Sequence, residues 1–244
     1  MKPNLIYGKR IVEEFLNKHP KMIKAIYVKN INEFNDNKVI DEFNIKVIKK
    51  NEQELSKMLG DDLNHQNVIA EVKEYNYKPF GEIKDELTHR EQDLILILDQ
   101  IHDPHNFGAI IRSATLLGVK NIIIMDHKQV MVTPTVVKTS SGTVYDLAVS
   151  KVSNLNNVVS ELKKCGYWIY SSNLNKDAQD VRNVDFASKA VLIVGNEQHG
   201  SSNLLTKNSD LNIFIPSTKV IDSYNVSVAA GILMYEIGKK IKLF

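Results

Sequence analysis

The chain has 244 residues, of which 43% are hydrophobic and 25% are charged; this is typical of a globular protein and excludes a mostly disordered one. Its 31 basic and 29 acidic side chains give a net charge of +2, which neither demonstrates nor excludes a nucleic-acid partner. The single cysteine, Cys165, excludes an intramolecular disulfide and a multi-cysteine metal site and suits a reducing cytoplasm. No apolar run approaches the roughly 18 residues that a membrane span needs, so we expect no membrane partner.

The helix and strand patterns of residues 1–75 predict a small α/β domain. Apolar residues follow helical spacing from Gly8 to Asn17, and a second helix is predicted from Glu52 to Leu59, ended by Gly60. Short strand patterns occupy 25–28, 45–48 and 68–72. Residues 76–92 are rich in charge and show no sustained apolar period, which predicts a linker to a second domain over 93–244.

The second domain contains four continuous apolar runs, at 94–98, 121–125, 167–170 and 191–194. Such runs are typical of strands that are buried on both faces of a parallel sheet. Helical patterns at 107–117, 154–164 and 226–240 alternate with them, and Gly118 and Gly166 stand where helix-ending glycines belong. The pattern predicts a doubly wound α/β domain that binds ligands in the loops after Leu98, Val194 and Ile215.

The loop after Leu98 leads into a helix that carries two candidate site residues. Asn106 is a good N-cap for that helix, which is its simplest role. Arg112 is one of four arginines in the chain and lies on an otherwise apolar helix. An arginine near a strand-end loop suits a forked contact with a phosphate or a carboxylate.

The loop after Val194 has a glycine at each end of a polar turn. Gly195 and Gly200 allow a ligand to approach the backbone closely, and Glu197 lies between them. The loop is not a phosphate-binding P-loop, because Ser201 stands where that motif requires lysine, and the chain has no G-x-G-x-x-G fingerprint.

The third loop follows Ile215 and ends at the final helix, where Ser223 and Asn225 both suit an N-cap. The loop histidines His102, His105 and His199 have no zinc-binding spacing, so no metal site is expected.

Together, the three loops resemble the SpoU (or TrmH) branch of the SPOUT superfamily of RNA ribose 2′-O-methyltransferases. The matching segments are 106–109 with 112–114, 195–197 with Gly200, and 215–216 with 223–229. Residues 6–8 and 65–70 resemble the family's auxiliary RNA-binding domain, in the subgroup that methylates a guanosine ribose of large-subunit ribosomal RNA.

The resemblance implies an α/β fold in which a parallel sheet carries a deep trefoil knot, behind a smaller N-terminal substrate-binding domain. It implies RNA as substrate, S-adenosylmethionine as cofactor, and a homodimer whose active sites use both subunits. The implied catalytic residues are Arg112, Asn106, Glu197, Ser223 and Asn225. The implied cofactor-binding residues are Gly195, Asn196, Gly200, Ile215, Pro216, Tyr224 and Asn225.

Two positions depart from the family pattern, and three alternatives stay open. Tyr224 stands where a leucine is usual and Asp222 where a serine is usual, so both bear on cofactor affinity. Transfer RNA is the alternative substrate, and a catalytically silent RNA-binding relative is an alternative function. A nucleotide- or NAD-using α/β enzyme is disfavoured, because both phosphate-binding motifs are missing.

Overall fold

A computed structural model describes residues 4–34, 37–60, 64–196, 200–218 and 223–244. The chain divides into two compact units, one formed by Met1–Asn76 with Val132–Tyr145 and the other by Tyr77–Met131 with Asp146–Phe244. Within those described ranges, no helix is both long enough and apolar enough to cross a membrane. The helices and strands, in chain order, are β1 Asn4–Tyr7, α1 Lys9–Lys18, β2 Ile23–Val28, α2 Lys38–Glu42, β3 Lys46–Lys49, α3 Glu52–Leu59, β4 Val68–Val72, α4 Phe80–Thr88, β5 Asp93–Asp99, α5 Pro104–Leu116, β6 Asn121–Met125, α6 Pro134–Thr139, β7 Ala148–Val152, α7 Leu155–Lys164, β8 Trp168–Ser172, β9 Gln179–Asp180, β10 Lys189–Gly195, α8 Asn203–Asn208, β11 Leu211–Phe214 and α9 Val226–Lys240.

The first unit is built on a sheet in the order β1-β4-β2-β3. β4 runs antiparallel to both β1 and β2, and β2 runs parallel to β3. The predicted helix from Glu52 to Leu59 is confirmed as α3. It begins at a capping box between Asn51 and Glu54 and ends at Gly60, whose φ of 72° is left-handed.

His65 joins α3 to the turn before β4. The backbone N–H of Asn67 donates to His65 Nδ1 at 3.0 Å, so Nδ1 carries no proton. The other ring nitrogen, Nε2, lies 3.1 Å from Ser56 Oγ on α3. The two contacts of the buried imidazole therefore explain why the first residue of the segment 65–70 is a histidine.

The second unit is a sheet in the order β7-β6-β5-β10-β8-β11-β9, and every neighbouring pair in it is parallel. This confirms the predicted doubly wound α/β architecture. β5 lies between β6 on one side and β10 on the other, and Asp99 pairs in register with Gly195. The chain order reverses between these two strands, so the loops that follow them open side by side.

The structure adds two details that the sequence interpretation lacked. The segment 76–92 contains α4, which buries Ile83 and Leu87 while its charged residues cover the exposed side. The helix predicted from Phe107 begins instead at Pro104, because Asp103 is its N-cap and accepts from His105 N at 2.9 Å. Proline at the first helical position needs no hydrogen-bond partner for its nitrogen. Asn106 thus lies in the first turn and is not the cap.

Other predictions of helix ends hold. Gly118 and Gly166 follow α5 and α7 with φ of 79° and 85°, as predicted for helix-ending glycines. α9 begins and ends at the predicted residues.

Candidate functional site

The loop after β10 returns so closely over Gly195 that no other residue fits there. A Cβ atom at this position would lie 2.0 Å from Ser201 N and 2.1 Å from the carbonyl carbon of Gly200. Asn196 and Gly200 exchange two backbone hydrogen bonds, at 3.1 and 2.8 Å. The backbone that approaches Gly195 is thus that of the returning loop, and the predicted approach of a ligand stays a prediction. Glu197 lies outside the described residues.

The end of β5 holds both sides of this loop. The side-chain amide of Asn196 donates to the carbonyl oxygen of Gln100 at 3.0 Å. On the returning side, the backbone N–H of Ser202 donates to Asp99 Oδ2 at 2.8 Å. The loop is therefore attached at two points to the neighbouring strand.

Asn225 connects the third loop to the first. Its Oδ1 caps α9 by accepting from Ser227 N at 2.9 Å, so Asn225 and not Ser223 is the N-cap. Its Nδ2 donates to Asn106 Oδ1 at 3.1 Å. Because α5 and α9 pack against each other, this bond joins the starts of two adjacent helices. The sequence-predicted pair, 119 positions apart in the chain, thus comes together.

Tyr224 lies within the third loop, and its hydroxyl donates to the carbonyl oxygen of Pro216 at 3.4 Å. The bond joins the two ends of that loop. Tyr224 also lines a cavity, and the residue is 39% exposed. Asp222 lies outside the described residues.

A cavity of ≈ 420 Å³ opens at the carboxyl ends of β8, β10 and β11. The predicted site residues that line it are Gly195, Asn196, Gly200, Ile215, Ser223 and Tyr224. Among the described residues its lining contains amide, hydroxyl and apolar groups but no charged side chain. Hydrogen-bonding groups beside apolar walls suit a small organic ligand that needs both kinds of contact.

Arg112 lies apart from this group. Its side chain is exposed on α5, and it does not line the cavity. Asn106, Asn225 and Pro216 do not line it either, although all three contact or flank loops that do. The described residues predicted for the site therefore form one group around the cavity and a bonded pair, Asn106 and Asn225, at the starts of α5 and α9, while Arg112 lies further along α5.

Sequence reasoning missed a fourth segment of the site, the carboxyl end of β8. Ser172 and Asn173 line the cavity, and Asn173 Nδ2 donates to Asn212 Oδ1 at 2.7 Å. Ser171 Oγ lies 3.3 Å from Ser201 Oγ, beneath the β10 loop. The available signal was the polar run that follows the apolar residues of β8, because side chains at the carboxyl end of a parallel strand face the ligand crevice.

Comparison with known families gives two matches along the chain. Residues 93–235 match the SpoU rRNA Methylase family, and residues 5–78 match a domain described as RNA 2′-O ribose methyltransferase substrate binding. A relative from Mycoplasma genitalium, an uncharacterized tRNA/rRNA methyltransferase, is 40% identical over 178 residues, which cover 71% of this chain and 73% of the relative.

Solved structures share the fold. An AdoMet-bound rRNA methyltransferase from Sinorhizobium meliloti covers 98% of this chain and 87% of its own, with a TM-score of 0.79 at 24% identity. A TrmH/SpoU tRNA modifying enzyme from A. aeolicus is 31% identical, with a TM-score of 0.57, and covers 66% of this chain and 82% of its own.

Proposed function

The chain belongs to the SpoU rRNA methylase family and is an RNA methyltransferase; from this premise we propose that it methylates a ribose 2′-hydroxyl with S-adenosylmethionine as cofactor. The observation that carries the proposal is the cavity at the carboxyl edge of the parallel sheet, which is lined by residues of the second and third candidate loops. The match of residues 5–78 to a substrate-binding domain of ribose 2′-O-methyltransferases supports the choice of the ribose hydroxyl.

The cavity fits this cofactor. Its volume lies within the range of roughly 300–1,000 Å³ that small-molecule sites occupy. The alternative of a nucleotide- or NAD-using enzyme is disfavoured, because the loop after Val194 is not a P-loop and the chain has no G-x-G-x-x-G fingerprint.

Each predicted cofactor residue has a role that follows from its position. Gly195, Asn196 and Gly200 line the cavity, and the tight return of the loop at Gly195 shapes this wall. Ile215 adds apolar contact, while Pro216 and Asn225 hold the third loop through their bonds to Tyr224 and Asn106. When bound, S-adenosylmethionine supplies a methyl group that a positively charged sulfur already activates.

The chain's own task is then to position and activate a weak nucleophile. A ribose hydroxyl is protonated at neutral pH, so it needs a base or stabilisation of its developing negative charge. A guanidinium stays charged and is a poor base, so we assign Arg112 to binding the adjacent RNA phosphate and stabilising the forming alkoxide. Asn106, Glu197, Ser223 and Asn225 orient the ribose and the arginine.

Arg112 acts in the cavity of a second subunit. Its exposure on α5, away from the cavity of its own chain, supports this arrangement. α5 and α9 also expose large apolar side chains, with Leu116 74%, Val228 49% and Tyr235 48% accessible. Exposed apolar groups on two adjacent helices are typical of a covered interface, so the active protein is a homodimer through these helices.

The substrate is a guanosine of large-subunit ribosomal RNA in the cytoplasm. The match of residues 93–235 to the SpoU rRNA Methylase family supports ribosomal RNA, and the resemblance of residues 6–8 and 65–70 to the subgroup that methylates a guanosine supports the nucleotide. Transfer RNA remains the second candidate, because the M. genitalium relative is described with both substrates.

Two measurements test the proposal. Calorimetric titration with S-adenosylmethionine should give one site per chain, and absence of binding would support a catalytically silent relative. Mapping 2′-O-methyl groups in total RNA, with and without the gene, should show the loss of one ribosomal guanosine modification. Loss of a transfer RNA modification would select the alternative substrate, and an unchanged map would refute the activity.

A further inference from the structure

Asp99 is a buried carboxylate that the proposed reaction does not use. It is the last residue of β5 and is only 2% exposed. A buried charge is costly unless hydrogen bonds compensate it. The backbone N–H of Ser202 supplies such a bond at 2.8 Å. A charge-assisted bond of this kind is stronger than one between neutral groups.

The neighbouring residue, Gln100, holds the opposite side of the same loop. Its carbonyl oxygen accepts from the Asn196 side chain at 3.0 Å, and its φ of 65° is unusual for a residue other than glycine. Backbone strain of this kind persists only where the surrounding contacts require it. Asp99 and Gln100 therefore hold the two sides of the β10 loop, Ser202 and Asn196 respectively.

The loop they hold forms a wall of the cavity. Gly200, Ser201 and Asn203 line the cavity, whereas Asp99 does not. Because the backbone at Ser201 already lies against Gly195, a displacement of residues 200–202 cannot be absorbed on that side and must change the cavity. Asp99 can thus influence a ligand only through the loop.

We propose that Asp99 is a positioning residue, whose carboxylate holds the backbone of residues 200–202 and so sets the shape of the cofactor cavity. The identity of the ligand rests on the proposed function. The attachment of the loop to Asp99 does not.

The other end of β5 offers a matched control. Asp93 is 3% exposed, accepts from the Tyr167 hydroxyl at 2.8 Å and contacts Arg90 at 3.0 Å. It is absent from the lining of the cavity. Asp93→Ala therefore removes an equally buried carboxylate of the same strand, bonded to Tyr167 and Arg90 instead of to the loop.

The experiment compares Asp99→Ala, Asp99→Asn and Asp93→Ala in the full-length protein, below the lowest Tm of the set. Loss of a hydrogen bond to a charged group should raise the Kd for S-adenosylmethionine by about tenfold or more in Asp99→Ala. Asp99→Asn keeps a neutral acceptor, so its Kd should rise by only a few fold. Both should raise KM for the cofactor more than they lower kcat, and Asp93→Ala should leave Kd and KM unchanged.

Amide hydrogen exchange measures how firmly the backbone of the loop is held, and it needs no cofactor. Asp99→Ala and Asp99→Asn should speed exchange at Ser201 and Ser202, and Asp93→Ala should not. Wild-type Kd together with wild-type exchange in Asp99→Asn would overturn the proposal, as would equal effects of Asp99→Ala and Asp93→Ala on Kd. A wild-type protein that does not bind S-adenosylmethionine refutes the proposed function instead, and the exchange data then decide the role of Asp99 alone.

Discussion

Strand β5 begins and ends with a buried aspartate, and the two aspartates have different hydrogen-bond partners and different roles. At the start, Asp93 accepts from the Tyr167 hydroxyl and contacts Arg90. At the end, Asp99 accepts from the backbone of Ser202 beside the cavity. The residue type and the burial are the same, so position in the sheet decides the role. Ligand-binding loops of a parallel sheet follow the carboxyl ends of its strands, and the opposite ends are free to serve stability.

The largest expected effect lies at the ligand end. Arg112→Lys keeps a positive charge but loses the planar fork, so we expect methyl transfer to fall about 100-fold, the scale seen when a group that stabilises transition-state charge is removed. Single-turnover transfer of labelled methyl to RNA measures it. Since Arg112 is assigned to the RNA phosphate and the forming alkoxide and not to the cofactor, Kd for the cofactor should stay unchanged. Near wild-type transfer would contradict the role of the fork.

Gly195→Ala should abolish tight cofactor binding by a different route. The added Cβ would lie 2.0 Å from Ser201 N, so the loop must move, and we expect Kd to rise by at least about tenfold. The matched control is Gly81→Ala in α4, where the added Cβ meets nothing within 4 Å. That control should bind normally and be no less stable, because alanine favours a helix. Calorimetry measures the Kd of both variants for S-adenosylmethionine, and equal Kd values would refute the prediction.

Tyr167→Phe tests the opposite end of the strand. Burial raises the pKa of the Tyr167 phenol, and the nearby Asp93 carboxylate raises it further, so the hydroxyl stays protonated and donates at neutral pH. Its removal leaves Asp93 with one partner fewer and should lower the free energy of unfolding by about 1–2 kcal/mol. Urea denaturation measures the loss. A raised Kd for the cofactor in this variant would show that the two ends are coupled.

The smallest effect is expected at Glu161 on α7, because its lysine partners are exposed to solvent. Hydrogen bonds from Lys164 and Lys84 lower the pKa of Glu161 to about 2. A carboxylate whose pKa is lowered by folding stabilises the protein above its unfolded pKa of about 4.3, and this contribution disappears as the pH falls towards 2. Glu161→Gln should thus reduce Tm slightly at pH 6 and leave it unchanged near pH 2. A difference that persists at pH 2 would contradict the assignment.

Local patterns predicted much of the fold. β4 at Val68–Val72, β6 at Asn121–Met125 and α9 at Val226–Lys240 have the predicted bounds, because their apolar periods and end residues are strong. α4 was missed because only Ile83 and Leu87 of its short sequence are buried. The grouping of Val132–Tyr145 with the first unit has no local signature, since it depends on contacts with residues far away in the chain. The predicted boundaries at 75 and 92 stay a prediction, as does the knot.

The amino-acid sequence by itself determined the family, the parallel sheet and the three loops that carry the candidate residues, since motifs and apolar runs are properties of neighbouring positions. Only the tertiary structure joined Asn106 to Asn225, placed Arg112 away from the cavity of its own chain, and brought Asp99 beneath Ser202. These contacts join residues about 100 or more positions apart. Their formation depends on strand order and helix packing, which no local pattern records.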